Sequence, residues 1–252
     1  MPKRSDRIRI IAGPNGSGKS TLVEKLRQNF ECGIYVNTDD LEKGLREKHF
    51  LNLSDYHIEC TLAQYQEFLS KEFVQTLLTK AAAEGVPINL TFANNIFLCG
   101  EHTNSYEAAL AGEFIKSQLV YNRERFIFET VMSHPSKLDF IKACRDSGYK
   151  IYLYFVSTDS VEINIGRVQQ RVDKKGHNVA EAKIRSRFDS TLKLLSEIIP
   201  LTYRTFLFDN SSVEDPLRLI AEISNRGREL KLETNHVPNW VIEHVLQPLK
   251  FI

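Results

Sequence analysis

Residues 8–21 read IRIIAGPNGSGKST, an apolar run followed by three glycines, one lysine and three hydroxyl side chains. The spacing Gly13-x-x-x-x-Gly18-Lys19-Ser20 suits the holding of a chain of phosphates. Glycines let successive backbone N–H groups converge on one anion with no Cβ in the way. The start of a helix adds partial positive charge at the same point. The expected cradle is Gly13, Pro14, Asn15, Gly16, Ser17, Gly18, Lys19, Ser20 and Thr21. In it Lys19 reaches the β- and γ-phosphates, and the Ser20 hydroxyl is a ligand for Mg²⁺. A plain glycine-rich turn would share the spacing. Here an apolar run precedes it, and Leu22, Leu26 and Phe30 follow at helical intervals, so a nucleoside triphosphate is the expected occupant.

Such a loop does not by itself separate a kinase from a motor, a switch or a transporter ATPase. Four further stretches bear on the choice. Asp39 and Asp40 sit just past the apolar run GIYVNT, where ligands of open parallel sheets bind. Asp39 is expected to accept the proton of an incoming hydroxyl, and Asp40 to cap the helix that follows. Glu129 and Thr130 end the run FIFET at the same rim, and Glu129 is expected to hold a Mg²⁺-bound water or an acceptor hydroxyl. Residues 166–195 read as helix, loop, helix. Arg167 and Arg171 lie four apart on the flank of the first helix, and Arg187 falls on the apolar stripe of the second with Ile184, Phe188, Leu192 and Leu195. An inward arginine needs an anionic partner or a route to water, and a transferring phosphate would serve. Lys174 and Lys175 read as solvated charges. In FLFDNSS, the residues Asp209, Asn210 and Ser211 are expected either beside the purine base or as loop structure.

These side chains need a frame. Five short β-like runs, 7–13, 33–38, 125–130, 150–157 and 204–210, alternate with helical patterns, which argues a parallel sheet with helices on both faces. Ser136 is the expected N-cap of the helix SKLDFIKACRD. The long interval between the second and third runs predicts one helix over about 59–83 and another over about 105–121. From Pro216 the pattern predicts a helix capped by Asp215, then a turn and a short helix near PNWVIEHVL. The expected organisation is therefore one α/β domain over 1–252, with a helical insertion at about 48–122, a helical lid at about 160–199 and a C-terminal helical segment at about 216–252. A net charge of +1 argues for neither nucleic acid nor a membrane surface as partner. No apolar stretch is long enough to span a bilayer, and MPKRSDR leads into the first strand with no apolar leader. The four cysteines are scattered, without metal-site spacing, as in a protein of a reducing compartment, so a cytoplasmic location is expected.

Taken in order, IAGPNGSGKST, YVNTDD, FIFETVMSHPSKLDFIKACRDSGYKIYLYFV, RVQQRVDKKGHNV…IRSRF and FLFDNSS resemble the zeta-toxin group of P-loop kinases. The resemblance implies a P-loop kinase fold with strand order 2-3-1-4-5, ATP or GTP with Mg²⁺, and phosphoryl transfer to a hydroxyl. In the best-known members the acceptor is UDP-N-acetylglucosamine and a small antitoxin holds the enzyme. It matches Lys19 and Ser20 to the loop, Asp39 to the base, Glu129 and Thr130 to the acid and hydroxyl after the third strand, and Arg171, Arg187 and more weakly Arg167 to lid arginines. Lys175 stands where family members often carry glycine, and NLTFANNIFLCGEH fits no part of the pattern. Asn94, Asn95, Glu101 and His102 there are acceptor-side candidates, with a plain loop as the simpler reading. Other acceptors (a nucleoside, a cofactor, a free sugar), an acceptor-free ATPase and a binding-only module stay open. The intact Lys19, Ser20 and Asp39 argue against the last.

Overall fold

A computed structural model describes residues 6–173 and 179–252. Lys174, Lys175 and His177 of the expected lid loop therefore lie outside the described residues. The chain divides into two compact units, Met1–Gly33 with Ile127–Ile252, and Ile34–Phe126. In chain order the elements are β1 (Arg7–Ala12), α1 (Lys19–Asn29), β2 (Ile34–Val36), α2 (Thr38–Lys48), β3 (Phe50–Asn52), α3 (Leu62–Leu69), α4 (Glu72–Ala83), β4 (Thr91–Ala93), β5 (Ile96–Leu98) and α5 (Ser105–Tyr121). There follow β6 (Phe126–Thr130), α6 (Ser136–Asp146), β7 (Lys150–Ser157), α7 (Val161–Asp173), α8 (Glu181–Ile198), β8 (Arg204–Asp209), β9 (Arg218–Ser224), β10 (Glu229–Leu232) and α9 (Asn239–Val241). Among the described residues no helix is long and apolar enough to cross a membrane.

In the first unit the strands lie in the order β10-β9-β8-β7-β1-β6. Strand β7 is parallel to both β1 and β8, with Ile10 opposite Leu153 and Leu153 opposite Thr205. Ile8, Ile10, Ile11, Leu153, Phe155 and Val156 are all buried, the near-continuous apolar pattern of strands covered on both faces. Numbered by sequence, the expected runs 3-1-4-5 are β6-β1-β7-β8 and are neighbours in that order. The run expected second is β2, which belongs to the other unit.

The C-terminal helical segment expected at 216–252 is instead a hairpin followed by a short helix. Strand β9 runs antiparallel to β8, and β10 antiparallel to β9. Asp215 and Pro216 therefore start no helix. The edge of β8 presents unpaired N–H and C=O groups that a strand satisfies and a helix does not. Ile220, Ala221 and Ile223 are buried on that edge, and the turn is made by Asn225, Arg226 and Gly227, all at positive φ. Beyond it Trp240, Val241, Val245 and Leu246 are buried, with the Trp240 ring 5.8 Å from Phe155. Helix α6 starts at Ser136, but the cap position is Pro135, and the Ser136 N–H is taken by His134 Nδ1 at 3.2 Å.

The second unit is mixed rather than helical. Strands β3, β5 and β4 form a separate antiparallel sheet in that order. Asn94 and Asn95, at φ 50° and 62°, make the two-residue turn between β4 and β5. That is the left-handed geometry a tight hairpin requires and asparagine tolerates. The helix expected at 59–83 is broken into α3 and α4, where Ser70 Oγ turns back to the Glu67 carbonyl and Gln75 Nε2 caps that of Leu69. Helix α5 matches its expected bounds, with Asn104 and Glu107 forming a reciprocal capping box. The core is aromatic: Phe114, fully buried, has ring centroids of Phe68, Tyr65 and Phe97 at 5.0, 5.3 and 5.4 Å. Phe114→Ala should therefore cost about 3–5 kcal/mol, read as a lower urea midpoint. A loss under about 1 kcal/mol would mean that the cluster repacks.

Candidate active site

The phosphate loop joins β1 to α1. Its glycines are required by their surroundings as much as by backbone shape. Gly18, the residue before α1, has φ 103°, and a Cβ there would lie 2.3 Å from Asn210 Nδ2. A Cβ on Gly16, at φ 78°, would lie 2.5 Å from the Asn164 carbonyl oxygen. Both are closer than real atoms approach, so a side chain at either would push the brace off the loop. Lys19 Nζ donates to the carbonyls of Gly13 and Pro14 at 2.9 and 2.8 Å, which holds its charge over the loop. The first turn of α1 carries no acid of its own, which suits the positive end of the helix to an anion.

Ser20 Oγ donates to Glu129 Oε2 at 3.0 Å, which puts a hydroxyl and a carboxylate side by side at the end of β6. Two hard oxygen donors beside a phosphate cradle fit Mg²⁺, which takes one or two protein ligands and completes its shell with phosphate and water. Thr130 Oγ1 accepts from Met132 N at 3.2 Å and so shapes the turn after β6.

Helices α7 and α8 form the expected hairpin, with Val168, Ile184, Phe188, Leu192 and Leu195 buried. Arg187 is half-buried and donates from Nη1 to Asn15 Oδ1 at 3.4 Å. Arg167 is also half-buried, and its Nη1 is buried with no hydrogen-bond partner among the described residues. Such an orphaned donor is costly, and an anion would satisfy it. Arg171 is exposed. Arg185 is engaged elsewhere, with Glu162 and Glu181, each at 2.9 Å.

Comparison with known proteins bears on this geometry. No family model matches the chain. An uncharacterized protein of Haemophilus influenzae is 30% identical over 63 residues, which cover 25% of this chain and 45% of that protein. Among solved structures, the AvrRxo1-ORF1:AvrRxo1-ORF2 complex with sulphate ions matches with a TM-score of 0.58 at 14% identity, over 97% of this chain and 64% of that one. The PezAT toxin-antitoxin system of Streptococcus pneumoniae matches with a TM-score of 0.51 at 12% identity, over 100% of this chain and 86% of that one. The likeness is one of fold, a mixed α/β arrangement with a parallel-dominated sheet that this chain shares with both structures. The chain spans less than two thirds of the Haemophilus protein and of the AvrRxo1 chain.

Within that fold, the end of β8 braces the phosphate loop. Asn210 Nδ2 donates to the Ser17 carbonyl at 2.8 Å, and its Oδ1 accepts from Leu217 N at 3.1 Å. Asp209 is buried and accepts from Ser211 Oγ at 2.8 Å and from the Trp240 indole N–H at 3.2 Å. Of the two readings of FLFDNSS, these bonds favour loop structure over contact with a base. Burial, and then the neighbouring Asp209 charge, push the Asp159 carboxyl above the usual carboxylate range.

In the second unit, α2 is capped by Asn37, not Asp40: Asn37 Oδ1 accepts from the Asp39 N–H at 2.9 Å. Both aspartates are exposed in the first turn of that helix. The Asp40 charge contributes, after burial and Asp55, to raising the Tyr56 phenol above its ordinary value. Asn95 is committed to its own unit, where Nδ2 donates to Ser54 Oγ and the Ile58 carbonyl while Oδ1 accepts from Cys60 N. Glu101 and His102 are exposed.

Sequence reasoning passed over Asn164. Its side chain is fully buried in the first turn of α7 and donates to the Asn15 carbonyl at 2.6 Å. A signal was available, because Asn164 falls on the inward stripe of Val161, Ile165 and Val168. An amide on an inward stripe has a partner to find.

Proposed function

We propose that this protein is a kinase that transfers the γ-phosphate of ATP to a hydroxyl of a small molecule, with a nucleotide-activated sugar such as UDP-N-acetylglucosamine as acceptor. The observation that carries this reading is the meeting of a lid arginine with the phosphate loop, Arg187 Nη1 against Asn15 Oδ1 at 3.4 Å. A loop that only stores nucleotide has no use for a helical hairpin bringing guanidinium groups to its residues. Phosphoryl transfer does, because negative charge shifts over the transferring oxygens as the bond breaks.

The roles follow from chemistry and position. The backbone from Gly13 to Thr21 cradles the phosphates, and Lys19 moves its ammonium from the loop carbonyls to the β- and γ-phosphates. Ser20 and Glu129 would hold a divalent cation, which would supply positive charge to offset that of the phosphates. Arg167 and Arg187, with Arg171, stabilise the transferring group. Asp39 accepts the acceptor's hydroxyl proton, and Asp40, Glu129 and Thr130 serve the acceptor side. A structure of the AvrRxo1 complex contains ATP, which supports ATP as the donor. AvrRxo1-ORF1 is bound to ORF2, and PezAT is a toxin-antitoxin system, so we also assign this chain an antitoxin-type protein partner.

The test is mass spectrometry of a small-metabolite extract that includes UDP-sugars, incubated with ATP, Mg²⁺ and the protein. The expected result is one metabolite gaining one phosphate only when active protein is present. A phosphorylated species other than a UDP-sugar would keep the kinase and replace the acceptor. ATP loss without a phosphorylated small molecule would remove the small-molecule kinase reading.

A further inference from the structure

We infer that Asn164 is a positioning residue that locks the first turn of α7 onto the phosphate loop, so that Arg167 is carried on a helix already in register with the cradle. The inference rests on the donor site proposed above and adds a part to it. The Asn164 amide is fixed at both ends, since Nδ2 donates to the Asn15 carbonyl at 2.6 Å and Oδ1 accepts from Thr158 Oγ1. Two acceptor–donor partners of opposite kind leave that amide one orientation. The Asn164 backbone also presses on the loop, which is why Gly16 has no room for a Cβ.

The loop residue Asn15 receives both helices of the hairpin, α7 through its carbonyl and α8 through its side-chain amide. The Glu162–Arg185 ion pair, at 2.9 Å, ties the two helices together near the same end. Arg167 lies three residues beyond Asn164, on a neighbouring part of the same helix surface and about 4.5 Å further along the axis. A rigid helix fixed at Asn164 therefore fixes the base of the Arg167 side chain.

The loop has other braces. Lys19 holds Gly13 and Pro14, and Asn210 holds Ser17. Loss of the Asn164 amide should therefore disturb the placement of the arginine more than the shape of the cradle. A misplacement of about 1 Å at a reacting group can cost about 100-fold in rate.

The experiment compares the full-length wild-type chain with Asn164→Leu and Thr158→Val. Asn164→Leu keeps the shape and adds no charge near the phosphates. Thr158→Val keeps Asn164 and its bond to the Asn15 carbonyl but removes the donor to its Oδ1. ATP affinity is measured by calorimetry without acceptor, kcat with UDP-N-acetylglucosamine, and hydrogen exchange over 13–21 and 161–173 with and without ATP. Asn164→Leu is expected to change the ATP Kd by less than about 3-fold and to lower kcat by about 10-fold or more. ATP should slow exchange over 161–173 in the wild type but not in this variant, while the slowing over 13–21 persists. Thr158→Val should give the same split at smaller amplitude, and it decides the matter if Asn164→Leu does not fold. Unchanged kcat and exchange, or a parallel loss of ATP affinity and stability, would make Asn164 a packing residue and overturn this inference alone. A wild-type chain that binds no ATP would overturn the donor-site reading and this inference with it.

Discussion

Replacing Arg167 with methionine is expected to make the protein more stable and nearly inactive. The two effects have one cause. Arg167 Nη1 is buried and has no hydrogen-bond partner among the described residues. Leaving a buried donor unpaired costs about 1–3 kcal/mol, more where the group is charged. Methionine is unbranched, reaches nearly as far and brings no polar atom, so it should recover about 1 kcal/mol as a higher urea midpoint. On the proposed kinase reading a transferring phosphoryl group would pair with this guanidinium, and an arginine so placed contributes about 10³–10⁵ in rate. Loss of it should lower acceptor-dependent ATP turnover by about 10³. The informative control is Arg185→Met on the facing helix. Arg185 already spends its donors on Glu162 and Glu181 at the exposed surface, so its loss should leave the urea midpoint close to that of the wild type. If Arg167→Met proved less stable and equally active, the side chain would be packing material, and the lid would lose one of its proposed phosphate ligands.

The parts of this molecule that could be read from sequence are those whose signal is local. The glycine spacing with its flanking strand and helix, the apolar runs of β1 and β7, the capping box that opens α5 and the inward stripe of α8 are each contained in one short window. The misses share an origin in partners far along the chain. The stretch RLIAEIS is helical by spacing, yet it is β9 because β8, which ends nine residues earlier, offers an open edge. Strands β3, β4 and β5 hold three residues each, too few for a period to register, and only the Asn94–Asn95 pair hinted at their hairpin. Asp209 and Asn210 were legible as a strand end, but their roles depend on Trp240 and Ser17, 31 and 193 residues away. Asn164 likewise acts on Asn15 across 149 residues. Propensity and spacing carry no information about such pairs, whereas burial of an unpaired amide would have demanded them.

Asp39→Asn should abolish most of the transfer activity without loss of the fold, and α2 supplies the reason to expect a clean separation. An aspartate near a helix start is ordinarily suspected of being its cap, in which case its removal would cost about 1 kcal/mol. Here Asn37 is the cap, and the bond it accepts comes from the Asp39 backbone N–H, which asparagine keeps. The carboxylate itself is exposed and makes no hydrogen bond with the described residues. Its remaining structural contribution is one negative charge in the first turn, about 0.3–1 kcal/mol at low salt, with Asp40 still present to supply another. The neutral amide cannot take a proton from an alcohol. Loss of a general base costs about 10²–10⁴ in rate, while ATP affinity, measured by calorimetry without acceptor, should stay within about 3-fold. The split between the two readouts is the content of the prediction. Matched losses of stability and activity would return Asp39 to a structural role, and full activity would leave the hydroxyl proton to be taken by another carboxylate, with Asp40 the first to replace.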